Sequence, residues 1–168
     1  MKRLHLPLLV ALSLAPACYS TGPEVEPEPP VTPSAAPAPR IAHFLMFQDG
    51  RAQEAMNFYA GLFEGGEVVY MELSGPDDIG AEGTVKLAEI QIAGIRVRST
   101  DSPPIHEFNF TPSTSLFVEC EDEAELDRLA ASLSEGGSFL MPPGDYGFSR
   151  KFAWTEDRFG VSWQLNLD

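Results

Sequence analysis

The pattern of apolar and polar positions predicts a strand, a helix and three strands, and then the same order again, over residues 41–167. Compact apolar runs and period-two alternation indicate the strands, and apolar residues three or four apart indicate the helices. The predicted strands cover residues 41–47, 67–73, 84–92, 95–99, 113–119, 138–141, 148–155 and 161–167. The order of elements therefore predicts one α+β domain with an internal repeat.

Both predicted helices have start and stop signals. Asp49 is the predicted N-cap of the first helix, and the glycine pair at 65–66 ends it. Asp122 and Glu125 stand in the Asp-x-x-Glu arrangement of a capping box at the start of the second helix. The glycine pair at 136–137 ends that helix.

The last predicted strand separates its two faces by residue type. One side carries only apolar residues, namely Val161, Trp163, Leu165 and Leu167. The other side carries only polar residues, namely Ser162, Gln164 and Asn166. Because side chains alternate across a strand, one face is expected to pack on a core and the other to meet water or a polar cavity.

Residues 1–17 have the features of a signal peptide. Two basic residues open the segment, and residues 4–14 are mostly apolar. That apolar stretch is shorter than the ~20 residues that a membrane-spanning helix needs. Residues 15–17 supply a small-x-small pattern before a cleavage site. We therefore expect Cys18 to be the first residue of the mature chain.

Cys18 stands where bacterial lipoproteins carry their lipid, in a segment that resembles a lipobox imperfectly because Leu14 comes one place early. Residues 18–39 are rich in Pro and Glu, so they cannot bury enough apolar surface to fold. Proline extends such a tether at ~3.1 Å per residue. We expect the domain of residues 40–168 to be anchored in the bacterial cell envelope through lipidated Cys18. A secreted or periplasmic protein is the alternative.

Charge and cysteine content exclude several classes of partner and site. The formal net charge is −14, and no basic patch is available to neutralise phosphates, so nucleic acid is not expected as a partner. The two cysteines, Cys18 and Cys120, lack the spacing of a zinc site and do not suggest a disulfide framework.

Three stretches of the domain carry a family resemblance, FLMFQDGRAQEAMNFY at 44–59, MPPGDYGFS at 141–149 and DRFGVSWQ at 157–164, and the last two are the most specific to the family. In these stretches the chain resembles the PhnB-like branch of the vicinal oxygen chelate superfamily, which also contains glyoxalases and bleomycin-resistance proteins. Many PhnB-like proteins are labelled 3-demethylubiquinone-9 3-methyltransferase. The resemblance extends over nearly all of residues 41–167.

The resemblance implies two βαβββ modules whose strands curl into a cup-shaped mixed sheet, with the helices on its outer face. The cup would hold a small molecule, and the protein would be a homodimer. The methyltransferase label does not transfer, because no Gly-rich loop follows a strand to hold a nucleotide-like cofactor. The chain is also too small for that domain in addition to this one.

Enzymes of the superfamily typically hold a divalent metal with side chains from four strands. The resemblance places His43 and Gln164 at two of these positions, Ala88 at the third, and Ser113 or Ser115 at the fourth. One imidazole and one amide are a poor ligand set for a first-row metal. No metal cofactor is therefore expected, and if one is bound, His43 and Gln164 are the candidate ligands.

Aromatic residues in the second half indicate what the cup could bind. Tyr146 and Phe148 lie in a loop flanked by Gly and Pro, where an aromatic ring is easier to explain as part of a ligand site than of a core. The expected ligand pocket comprises His43, Ser115, Tyr146, Phe148, Trp154 and Gln164.

These observations predict a lipid-anchored protein that binds an unknown small molecule without a complete metal site. One alternative is a metal-dependent lyase, isomerase or dioxygenase-like enzyme of the same superfamily. The other is a structural or partner-binding lipoprotein that uses the cup as an interface. Sequence alone does not identify the ligand, since a fold hosts many functions.

Overall fold

A computed structural model describes residues 41–168, and the predicted signal peptide, Cys18 and the tether lie outside the described residues. The elements are β1 (His43–Phe47), α1 (Ala52–Leu62), β2 (Glu67–Leu73), β3 (Val85–Ile92), β4 (Ile95–Asp101), β5 (Leu116–Glu119), α2 (Glu123–Ser134), β6 (Ser138–Gly144), β7 (Lys151–Glu156) and β8 (Ser162–Leu167). No helix in this range is long and apolar enough to cross a bilayer.

The strands form two four-stranded mixed sheets of the same topology. The first sheet has the order β1-β4-β3-β2 and the second the order β5-β8-β7-β6. β1 pairs in parallel with β4, and β5 pairs in parallel with β8. All other neighbouring strands are antiparallel. Each sheet with its helix is one βαβββ module, and neither sheet closes on itself. The predicted α+β fold of two such modules is confirmed.

Each sheet has one face covered by its helix, which we call the helix face, and an opposite open face. On the first sheet, α1 packs against β2, β3 and β4, and the helix face carries fully buried Ile90 and Val97. On the second sheet, α2 packs against β6, β7 and β8, and the helix face carries buried Trp163 and Leu165. Alternation then assigns the intervening residues of each strand to the open face.

The two helix faces share one core. Tyr59 of α1 lies 5.1 Å from Trp163 of β8 between ring centroids, and Phe63 stacks on the same indole at 6.1 Å. Arg128 of α2 donates to the carbonyl oxygen of Leu62 at 2.8 Å. The buried apolar residues of both modules therefore form a single cluster.

The start of α1 differs from the prediction. Asp49 was the predicted N-cap, but its carboxylate accepts only from the backbone N–H of Arg51, outside the helix. The N–H of Ala52, the first helical residue, donates at 3.0 Å to Asp101 at the end of β4. The prediction is wrong because the acceptor comes from a strand 49 residues further along the chain.

Other local predictions are confirmed. Asp122 accepts from the N–H of Glu125 at 2.8 Å, so it caps α2. Ala93 and Gly94 both have positive φ, at +44° and +78°, which is the backbone of a two-residue type I′ hairpin turn. At Gly94 this conformation costs little because glycine has no Cβ.

Candidate functional site

The open face of the second sheet carries a row of side chains across all four strands. Phe117 of β5 pairs with Gln164 of β8, Gln164 with Trp154 of β7, and Trp154 with Met141 of β6. Directly paired residues project from the same face, so these four side chains form one line. Phe117 is 54% exposed, so this end of the row is open to solvent.

A hydrogen-bonded chain of four side chains runs along this face. The indole N–H of Trp154 donates to Ser162 Oγ at 2.8 Å. Ser162 Oγ lies 2.8 Å from Ser115 Oγ, and either hydroxyl can donate. Gln164 Nε2 donates to Ser115 Oγ at 3.1 Å. The amide oxygen of Gln164 has no hydrogen-bond partner within residues 41–168, so it is an acceptor available to a ligand.

Aromatic rings from the β6–β7 loop lie beside this row. Phe152 pairs with Asn166 and so shares the open face with Gln164, two residues away. The rings of Tyr146 and Phe148 stack at 6.1 Å, and Phe148 meets Phe152 edge-on at 5.1 Å. The loop rings cover Phe152, which is only 5% exposed, and leave Phe148 61% exposed.

His43 lies apart from this group. It pairs with buried Val97, which places it on the helix-face register of β1. It lines a crevice of about 230 Å³, together with Leu116 and Ser162. Ser162 therefore connects the crevice to the hydrogen-bonded chain, and no hydrogen bond joins His43 to Gln164 within residues 41–168.

The structure thus brings together some of the sequence-derived pocket residues. Ser115, Trp154 and Gln164 are linked through Ser162, and Tyr146 and Phe148 lie beside them. Ser162, the centre of the chain, was not among the candidates. Its place between Val161 and Trp163 in the alternating last strand was the available signal, but its partners lie in β7 and just before β5, far away in sequence.

The open face of the first sheet has a second row, which sequence reasoning missed. Phe44 pairs with Arg98, Arg98 with Glu89, and Glu89 with Tyr70. Phe44 and Phe117 hold equivalent places in the two modules, and both are 54% exposed. Arg98 and Gln164 are equivalent in the same sense. The alternation of Arg and Thr with buried residues along 95–101 was the signal for this row.

Glu89 is held by two arginines. Arg96 donates to both of its carboxylate oxygens, at 2.8 and 2.6 Å, and Arg98 Nε donates at 2.6 Å. The side chain of Glu89 is only 6% exposed. The hydrogen bonds from Arg96 and then Arg98 outweigh the desolvation and lower the pKa of Glu89 to about 2.

The residues present do not fit the divalent metal that the resemblance implies. Within residues 41–168 no group of three or more His, Cys, Asp or Glu side chains is placed to hold a metal ion. His43 and Gln164, the two candidate ligands, have the separate surroundings described above. Ala88, at the third implied position, is a buried residue of the helix face. No step of the proposed function therefore uses a metal.

Comparison with known proteins identifies the family. The family model described as 3-demethylubiquinone-9 3-methyltransferase matches residues 39–166. The chain belongs to the PhnB-like family. A PhnB protein from Bacillus cereus with the same methyltransferase label is 45% identical, with a TM-score of 0.74. The match covers 77% of this chain and 100% of that one.

Two further solved structures have a similar fold. Protein PA1353 from Pseudomonas aeruginosa is 27% identical, with a TM-score of 0.67, and the match covers 76% of this chain and 96% of that one. The fosfomycin resistance protein FosX from Mesorhizobium loti shares the fold at 15% identity and a TM-score of 0.53, over 75% and 88% of the two chains. No curated protein matches the sequence.

Proposed function

We propose that this PhnB-like protein binds a small molecule on the open faces of its sheets, without a metal ion. The observation that supports this most directly is the second-sheet face, where the Trp154–Ser162–Ser115–Gln164 chain lies beside exposed aromatic rings. Ligand sites combine apolar walls with a few convergent polar groups that orient the ligand. The amide of Gln164 is the orienting group of this site.

The exposed aromatic rings on the open faces are not needed to fill the core. The core already contains the large aromatic residues Tyr59 and Trp163, each at 1% exposure or less. Phe117, Phe148 and Phe44 are all more than half exposed. Tyr146 and Phe148 stack as one exposed pair, and a contiguous apolar patch marks an interaction surface more often than a single exposed residue does. The proposal assigns these rings to ligand contact.

A fluorescent apolar probe tests the binding function. N-phenyl-1-naphthylamine brightens when it leaves water, and it is to be titrated into a protein of residues 37–168. Residues 41–168 of that range pack as one unit, and a PhnB protein that the match covers over 100% of its length has the same fold. We expect saturable binding, weakened about tenfold by Phe117→Ala because the probe then loses the apolar surface that it would cover on the exposed ring.

The matched control is Phe108→Ala, which removes a ring that is 62% exposed in the loop between β4 and β5. We expect this variant to bind the probe as the wild type does. Equal losses in both variants, or a fluorescence signal that never saturates, would overturn the proposed site.

The proposal includes export and lipid anchoring at Cys18, which the features of residues 1–39 support. The test is metabolic labelling of the full chain with radioactive palmitate in a bacterial host. We expect label in the wild type and none in Cys18→Ala, with the wild-type protein in the membrane fraction. Unlabelled wild-type protein recovered in the soluble fraction would contradict the anchor.

The proposal also includes a homodimer in which the ligand lies between open faces. Its support is the same exposed apolar surface on two sheets, which neither helix covers. A second copy covers that surface without any new element of structure, since an isologous interface uses the same patches twice.

A further inference from the structure

Arg98 occupies the centre of the first-sheet open face. Its side chain is 40% exposed, and its Nε donates to Glu89 at 2.6 Å. Its two terminal guanidinium nitrogens have no hydrogen-bond partner within residues 41–168. A guanidinium has five N–H donors, and the outer pair forms a planar fork that matches an oxyanion.

Glu89 fixes the direction of this fork. Arg96 already donates to both carboxylate oxygens of Glu89, so the carboxylate is satisfied without the outer nitrogens of Arg98. The bond to Nε holds the guanidinium in place and leaves its outer edge directed elsewhere. A guanidinium held by a buried carboxylate loses less side-chain entropy when a ligand binds.

Arg98 is one of two arginines that share the carboxylate of Glu89. The formal net charge of the protein is −14, and each of two lysines contacts two acids. Lys86 contacts Glu72 and Asp78 at 3.1 Å each, and Lys151 contacts two carboxylates at 2.7 Å each. At Glu89 two arginines share one carboxylate, as Arg51 and Arg158 do at Glu54, and the terminal nitrogens of Arg98 take no part in its contact with Glu89.

Two aromatic rings lie in the same row as Arg98. Phe44, which is 54% exposed, is the direct cross-strand neighbour of Arg98, and Tyr70, which is 36% exposed, ends the same row. Adjacent strands lie roughly 4.8 Å apart, so the four-residue row spans about 14 Å. An anionic group and an aromatic or apolar body of one small molecule fit within this length.

We propose that Arg98 binds the oxyanion of the ligand, and that the ligand is therefore an apolar or aromatic molecule bearing a carboxylate, sulfonate or phosphate. This inference rests on the proposed small-molecule function. It adds the chemical class of the ligand and assigns a specificity role to a residue of the first sheet. The alternative is that Arg98 only ties β3 to β4 through Glu89.

A pair of probes that differ by one charged group separates these readings. The dye 8-anilinonaphthalene-1-sulfonate has the ring system of N-phenyl-1-naphthylamine and carries a sulfonate in addition. Both are to be titrated into the protein of residues 37–168 and into Arg98→Gln. We expect Arg98→Gln to weaken binding of the sulfonate dye about tenfold, since it removes charge-assisted hydrogen bonds. Binding of the neutral dye should stay within about twofold.

Two further variants complete the test. Arg150→Gln removes a cation that donates to the backbone carbonyl of Asp168, away from the row, and should change neither affinity. Arg98→Lys keeps the charge and the pairing with Glu89 but lacks the planar fork. Arg98→Lys should lower the affinity for the sulfonate dye about threefold. It replaces Arg98→Gln in the test if Arg98→Gln fails to fold.

Equal effects of the Arg98 variants on both dyes, or no effect on either, would overturn the inference and leave the binding function intact. Failure of the neutral dye to bind the wild type would overturn the proposed function itself. The two failures are therefore distinguishable in one set of titrations.

Discussion

At the scale of single residues, a buried carboxylate links the two modules. Asp157, in the turn between β7 and β8, accepts hydrogen bonds from Tyr59 Oη at 2.7 Å, Trp163 Nε1 at 2.9 Å and the N–H groups of Phe159 and Val161. Desolvation nonetheless raises the pKa of Asp157, because it outweighs the effect of these donors. The bond from Tyr59 brings a donor of the first module to the second.

Removal of the Tyr59 hydroxyl tests this link. We expect Tyr59→Phe to lower the free energy of unfolding by about 1–3 kcal/mol, because it leaves a buried carboxylate with one donor fewer. Urea unfolding followed by circular dichroism measures the change. Tyr146→Phe is the control, since within residues 41–168 that exposed hydroxyl bonds only to the carbonyl of Pro142, and its effect should stay within about 0.5 kcal/mol. Equal losses in both variants would contradict the link.

Glu89 makes a pH-dependent contribution at the same scale. Its pKa is about 2 in the folded protein, against an ordinary value of 4.5. A lowered carboxyl pKa means that the stabilisation is complete above the ordinary value and is lost as the pH falls from 4.5 toward 2.

The difference in unfolding temperature between wild type and Glu89→Gln reports this contribution. We expect the difference to be largest at about pH 6 and to shrink by about pH 3, because Glu89 of the wild type then takes up a proton on unfolding, which favours the unfolded state. Thermal unfolding across this range is the measurement. A difference that stays constant with pH would contradict the role assigned to the two arginines.

At the scale of elements, the start of α1 depends on a strand that is distant in sequence. Asp101 accepts from Ala52 N with one carboxylate oxygen and from Val85 N, at 2.8 Å, with the other. Asp101 is 7% exposed. If its carboxylate were removed, both N–H groups would lose a partner that water cannot readily replace.

Separate substitutions of Asp49 and Asp101 show which carboxylate caps α1. The sequence predicts Asp49, and the structure shows Asp101. We expect Asp101→Ala to cost about 2–4 kcal/mol, because two buried N–H groups become unsatisfied. Asp49→Ala should cost less than about 0.5 kcal/mol. Chemical denaturation of both variants is the measurement, and a larger loss in Asp49→Ala would contradict this assignment.

The elements themselves could be predicted well, because they depend on local periodicity. The helices, the Ala93–Gly94 turn and the faces of β8 follow from alternation and capping residues alone. Partners across strands could not be predicted in this way. The Ser162 chain joins residues 47 positions apart, and the Arg98 row needs the register of four strands. The sequence-based pocket therefore included Ser115 and Gln164 but not the groups that connect or complement them.

At the scale of the whole molecule, the open faces account for the proposed dimer. We expect sedimentation equilibrium of the protein of residues 37–168 to give twice the mass of one chain. Phe44→Glu combined with Phe117→Glu should shift it to the monomer, because charges are costly in an apolar interface. Phe108→Glu, in the loop between β4 and β5, is the control and should leave the dimer intact. A monomeric wild type would contradict the proposed assembly.

The central claim is that this PhnB-like fold binds its ligand through side chains alone. The most direct test is a titration with 8-anilinonaphthalene-1-sulfonate before and after exhaustive dialysis against EDTA, with metal content measured on the same samples. We expect saturable binding with the same affinity in both samples and no stoichiometric metal in either. Binding that disappears after EDTA and returns when zinc, nickel or iron is added would contradict the claim.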